Sequence, residues 1–100
     1  GLYADAKFPV PKTMTDEFFR AHPPFLRNSE SRVRFKWRFD EPKKYQEMVR
    51  GYYRMIAGID TVVGRIRAAL KKRGLARDTV IVFTSDNGYF LGERGFADKW

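Results

Sequence analysis

The sequence predicts an α/β fold, and three features carry that prediction. An apolar stripe recurs at steps of three and four from Tyr45 to Leu70. A continuous β-branched run, Thr79-Val80-Ile81-Val82-Phe83-Thr84, follows it after a short turn. A polar loop, Ser85-Asp86-Asn87-Gly88, comes at once after the run. Helix, tight turn, buried strand and polar loop in that order make half of a parallel-sheet unit. In such sheets ligands gather beyond the carboxyl ends of the strands. One strand cannot build a sheet, so the pattern implies partner strands and reads as an internal piece of a larger domain.

Residues 1–41 read as irregular or extended with one short helix. Pro9 and Pro11 bracket Val10 and disfavour helix at and before their positions. Thr15 is placed to cap a helix running to about Ala21, with Asp16 and Glu17 in its first turn. Pro23 and Pro24 end it. Val33, Phe35, Trp37 and Phe39 then alternate with Arg32, Arg34, Lys36 and Arg38. That period of two suits a half-buried strand, and the competing reading is an irregular surface segment.

A long helix is expected over 42–74. Pro42 sits at its start, where a missing N–H costs nothing. Tyr45, Met48, Val49, Tyr52, Ile56, Ile59, Val63, Ile66 and Leu70 form one apolar stripe. Lys71, Lys72 and Arg73 favour the C-terminal end, and Gly74 suits the position after it. Gly58 and Gly64 each cost about 1 kcal/mol relative to Ala, and close packing against a sheet is their expected use. A turn over 75–78 leads to a core strand over 79–85 and then the loop region 86–100.

Composition sets outer bounds. The 100 residues include 20 Lys and Arg against 12 Asp and Glu, a net charge of +8. Hydrophobic residues make up 43%, too many for a disordered chain. The excess charge is spread along the chain and suits solvated faces. Basic residues interleaved with aromatics over 32–39 also keep a nucleic-acid-binding module as an alternative. The absence of cysteine excludes disulfides, thiolate metal sites and cysteine nucleophiles within this chain. The single histidine, His22, argues against a His-rich zinc site. No apolar run approaches the length of a membrane span. The opening residues carry no signal-peptide pattern, which leaves the compartment open.

Chemistry concentrates after the expected strand. Asp86 and Asn87 offer a carboxylate and an amide carbonyl, hard oxygen donors that suit Ca²⁺ or Mg²⁺ better than zinc. Gly88 lets the backbone turn sharply. Lys99 is a cation further along that can meet an anion near a metal. Asp-Asn-Gly is also an ordinary turn sequence.

Wider context adds to this pattern. The stretch from Tyr52 to Ile66, then Leu70, Gly74-Leu75, Asp78 through Gly88, Leu91-Gly92-Glu93 and Lys99, closely resembles the sulfatase family. The likeness runs from about Tyr45 to Trp100, and more weakly through Tyr3-Ala4-Asp5 and Val10-Pro11. The resemblance implies an alkaline-phosphatase-like α/β fold and cleavage of sulfate esters with bound Ca²⁺ or Mg²⁺. It implies a formylglycine nucleophile, made from the first residue of a Cys/Ser-x-Pro-x-Arg motif. By the same resemblance Asp86 and Asn87 are metal ligands, and Lys99 contacts the sulfate. A metal neutralises charge on sulfate oxygens, and a lysine stabilises charge building in transfer. The implied substrate is a sulfated small molecule or sulfated glycan, the implied partner is the rest of the parent catalytic domain, and the implied location is periplasmic or secreted.

The departures matter too. Ser29, Ser31 and Ser85 do not begin the nucleophile motif, so the chain alone is expected to be inactive. His22 matches no family histidine and reads as a surface or helix-end residue. Arg94 stands where many relatives carry histidine. A phosphodiesterase or phosphatase of the same superfamily is the main alternative, and the Asp-Asn pair favours the sulfatase.

Overall fold

The computed structural model describes residues 1–99; Trp100, the last residue of the family likeness, lies outside them. The described residues form four α-helices and a small two-stranded antiparallel sheet. The helices are α1 (Asp16–Arg20), α2 (Pro24–Arg27), α3 (Glu30–Arg38) and α4 (Pro42–Lys72). The strands β1 (Phe90–Leu91) and β2 (Ala97–Asp98) pair Phe90 with Asp98 and Leu91 with Ala97.

Thr15 caps α1 by accepting from the Phe18 N–H. Pro24, expected only to end a helix, also begins α2, because proline fits the first helical position. The larger correction concerns residues 30–38, which form helix α3 and not a strand or an irregular segment. The alternation of apolar residues splits into two pairs with a spacing of four. Phe35 and Phe39 share the inner face, where Phe39 is 1% exposed; Val33 and Trp37 share the outer face, where Trp37 is 63% exposed. Local charge also favours the helix, since Arg34 Nε reaches Glu30 Oε1 one turn back at 3.0 Å. The basic and aromatic side chains therefore do not form the two opposed faces that a strand would give.

Helix α4 ends at Lys72 with Gly74 at φ +74. The Leu75 N–H donates to the Leu70 carbonyl at 3.0 Å and the Gly74 N–H to Lys71 at 3.1 Å. These two bonds satisfy carbonyls that the helix end would otherwise leave open.

The core sits at the N-terminal end of α4. Tyr45 and Val49 pack with Phe35, Phe39 and Ala97, and Phe8, Met14 and Leu91 cover the cluster. The first residues are strapped along the same helix. Gln46 exchanges hydrogen bonds with the Phe8 backbone at 2.9 and 2.8 Å, and the Tyr45 hydroxyl donates to the Pro9 carbonyl at 2.8 Å. Arg50 and Arg54 donate to the carbonyls of Tyr3 and Leu2.

The C-terminal half of α4 differs. Ile56, Ile59 and Ile66 of its apolar stripe are exposed. The core strand expected over 79–85 is not formed among the described residues: this segment joins no sheet there, and Val80 is 88% exposed. A strand is buried only by neighbours, and the two strands described here pair with each other. A Cβ at Gly58 or Gly64 would meet nothing within 4 Å, so the close packing expected there has no partner among the described residues.

Candidate functional site

The hairpin β1–β2 carries the region around Lys99. Its turn is a 3₁₀ segment, Glu93–Gly95, entered through Gly92 at φ +102. That angle favours glycine, and a Cβ there would lie 2.6 Å from Met14 Sδ. Helix α3 grips the hairpin from the side. Ser31 Oγ donates to the Ala97 carbonyl at 2.6 Å and accepts from the Ala97 N–H at 3.3 Å. Arg32 Nη1 donates to the Gly95 carbonyl at 3.1 Å.

Asp98 completes the grip. Its carboxylate pairs with Arg34 at 2.8 Å and also with Arg38. Burial pushes the Asp98 carboxyl up, but the hydrogen bonds from Arg38 and Arg34 outweigh it and hold the group below its ordinary range. Burial raises the neighbouring Tyr89 phenol, which also bonds Asp98. Sequence reasoning named neither Asp98 nor its two arginines as a unit. The available signal was the spacing of Arg34 and Arg38, four apart and on one face of a helix.

Lys99 follows Asp98 directly, so the clamp fixes the backbone from which its ammonium extends. Lys99 Nζ lies 3.9 Å from Asp86 Oδ2. Asp86 is exposed, and its Oδ1 accepts the Asn87 N–H at 2.9 Å. Ser85 Oγ donates to the Asn87 carbonyl at 3.0 Å, and Asn87 Nδ2 donates to the Gly88 carbonyl at 2.7 Å. The amide nitrogen of Asn87 is thus committed to its own loop, which leaves Oδ1 as the side chain's acceptor. A cleft of about 420 Å³ is lined by Asn87, Gly88, Tyr89, Phe90 and Lys99. The structure therefore brings Asp86, Asn87 and Lys99 to one place from two loop segments.

These donors fit a hard cation in kind but not in number. Ca²⁺ takes about six to eight oxygens, and Mg²⁺ about six. Among the described residues no group of three or more His, Cys, Asp or Glu is arranged to hold a metal ion.

The sulfatase family model matches residues 8–100. The chain belongs to the sulfatase family. This sulfatase chain is 45% identical to an N-acetylglucosamine-6-O-sulfatase of Bacteroides thetaiotaomicron over 56 residues, which is 56% of the chain and 10% of that protein. It is 44% identical to the iduronate 2-sulfatase of Homo sapiens over 60 residues, 59% of the chain and 11% of that protein. An endo-4-O-sulfatase of Bacteroides thetaiotaomicron is 44% identical over 45 residues, 45% of the chain and 9% of that protein. The chain spans about a tenth of the length of the first two relatives. No solved structure matches this sulfatase chain. No helix among its described residues is long and apolar enough to cross a membrane.

Proposed function

We propose that this chain forms part of the catalytic domain of a sulfatase that hydrolyses sulfate esters. Sulfated glycans are the favoured substrate class, because the relatives include an N-acetylglucosamine-6-O-sulfatase and an endo-4-O-sulfatase. Asp86 and Asn87 are two of the ligands of a divalent cation, Ca²⁺ or Mg²⁺, and Lys99 is the cation that meets the sulfate. The observation that carries this reading is the approach of Lys99 Nζ to Asp86 at 3.9 Å beside a cleft that Asn87 and Lys99 both line.

Each residue has a defined task. Asp86 presents an exposed carboxylate, oriented by the Asn87 N–H. Asn87 turns its amide nitrogen into the loop, so its carbonyl serves as the second donor. Lys99 stabilises charge on the transferring group or the leaving oxygen. A bound divalent cation would neutralise charge on the sulfate oxygens. The formylglycine nucleophile comes from another part of the parent protein, as this chain has neither cysteine nor a Ser-x-Pro-x-Arg sequence. The chain alone is therefore inactive. In the parent's alkaline-phosphatase-like fold, the run 79–85 enters a sheet and the bare half of α4 packs against it. Export to the periplasm or beyond the cell accompanies this reading.

The test is Asp86→Ala and Lys99→Ala in the full-length protein, with aryl sulfate turnover and metal content both measured. Asp86→Ala is expected to lose bound metal and activity together. Lys99→Ala is expected to keep the metal and lose on the order of 10²–10³ in kcat. Full activity with Asp86 removed would sink the ligand assignment. Peptide mass spectrometry settles the alternative: an aldehyde at the nucleophile position supports the sulfatase, and a threonine there indicates phosphoryl transfer.

A further inference from the structure

The approach of Lys99 to Asp86 needs a physical cause. Lys99 Nζ lies 3.9 Å from Asp86 Oδ2, and the two side chains are 48% and 82% exposed. An ion pair that open contributes little by itself, because water screens it and two flexible side chains must be ordered. The attraction between the two groups therefore does not hold Lys99 where it is. What holds it acts through the backbone, and the residue before it is Asp98.

Asp98 is buried, and its backbone is left-handed at φ 71, unusual for a residue with a side chain. Such a conformation costs free energy and persists only where the surroundings over-determine it. Three side chains do so here. Arg34 and Arg38, one turn apart on α3, both pair with the Asp98 carboxylate. Charge-assisted bonds of this kind are the stronger class. Helix α3 is itself seated in the core by Phe35 and Phe39. The third contact is the Tyr89 phenol, which donates to the same carboxylate. Tyr89 follows Asn87 and Gly88, and Phe90 of that segment pairs with Asp98 in the hairpin. One carboxylate thus ties α3 to both segments of the candidate site: the one that carries Asp86 and Asn87, and the one that carries Lys99.

We propose that Asp98 is a positioning residue of the sulfatase reaction, which sets the place of Lys99 relative to the Asp86–Asn87 pair. Its carboxylate is committed to protein partners, so it acts through Lys99 rather than on the substrate. The clamp passes the rigidity of the core to the backbone of an exposed lysine, which has little else to order it. A misplacement of about 1 Å can cost on the order of 10²-fold in rate. This inference rests on the sulfatase reading and deepens it: the effectiveness of the lysine is decided at the residue before it.

The test uses the full-length protein and two readouts. The first is a double-mutant cycle on aryl sulfate turnover, with Asp98→Asn made alone and in the Lys99→Ala protein. Asparagine tolerates a left-handed backbone, so this variant removes the charge and keeps the turn. Alone it is expected to lower kcat roughly tenfold or more, with KM changed less than about twofold. In the Lys99→Ala protein it is expected to change kcat less than about twofold, because the lysine through which it acts is gone. Equal losses in the two backgrounds, or no loss in either, overturn the proposal, since a merely structural residue acts alike in both. The second readout needs no turnover. Acetic anhydride labels the lysines, and mass spectrometry compares Lys99 with Lys44, which is paired to Asp40 and Glu41 on another part of the surface. The ratio of Lys99 to Lys44 labelling is expected to rise severalfold in Asp98→Asn, and an unchanged ratio overturns the positioning. Arg38→Gln leaves Arg34 on the carboxylate; it is expected to give the same pattern at smaller size and serves if Asp98→Asn does not fold. A wild-type protein that turns over no sulfate ester, with the labelling ratio still rising in Asp98→Asn, would discard the enzyme reading and keep the positioning.

Discussion

The two halves of α4 carry one continuous apolar stripe and have opposite fates. In the proximal half Tyr45 and Val49 are buried against α3, the N-terminal strap and the hairpin. In the distal half Ile56, Ile59 and Ile66 face outward, and the equally apolar run 80–83 lies exposed as well. Periodicity is the same on both sides of the boundary. The difference is that the proximal half has partners within the chain. A stripe at helical spacing thus specifies which face will be buried, and only a second surface decides whether it is.

The largest test of that contrast is a pair of truncations. Phe39→Ala is expected to destabilise by roughly 3–5 kcal/mol, since the ring is buried in the proximal core. In the 100-residue chain by itself, Ile59→Ala is expected to cost under about 0.5 kcal/mol by the same urea unfolding measurement. Equal losses would show the distal half to be as well covered as the proximal one.

Two glycines give a smaller version of the comparison. Gly92→Ala combines a left-handed backbone with a Cβ only 2.6 Å from Met14 Sδ, and about 2 kcal/mol or more is expected. Gly74→Ala, at the distal end, has the strained angle but nothing within 4 Å, and about 1 kcal/mol is expected. Thermal melting of both variants distinguishes packing from backbone strain.

A pH series addresses the proximal clamp. The Asp98 carboxyl is held below its ordinary value in the folded chain, so its contribution is present above about pH 4 and is lost as pH falls through the depressed value. Asp98→Asn is expected to lower stability near neutral pH and to flatten the acid limb below about pH 4. An unchanged acid limb would remove Asp98 from the account.

The smallest expected effect on the stability of the 100-residue chain belongs to Val82→Lys, near zero, because the side chain is exposed there. Its effect should appear instead in sedimentation of the 100-residue chain, as reduced self-association of the bare apolar surface. Undiminished association would move the sticky surface elsewhere.

Parts of this molecule were legible in local sequence. Proline at position 42 and glycine at 74 mark the ends of α4, because helix starts and stops depend on a few adjacent residues. The Asp86, Asn87 and Lys99 set was an expectation from donor type and from the family likeness, and the fold brings the three residues near one another. Other parts were ambiguous or invisible. Over 32–39 the alternation fitted a strand as well as two helical pairs, and it was the seat for Phe35 and Phe39 against Tyr45 and Val49 that made the helix the better choice.

The sequence by itself determined where the long helix lies, which of its faces is apolar, where the oxygen donors stand and to which family the chain is akin. The tertiary structure alone decided that α3 is a helix, that 79–85 stays unpaired among the described residues, and that Lys99 comes back to Asp86. It also decided that Asp98 is locked to arginines 60 and 64 positions earlier in the chain. Helix periodicity and capping act over a few residues and are written locally. Strand pairing, ion pairs and cavities depend on residues far apart in sequence, so they exist only once the chain has folded them together.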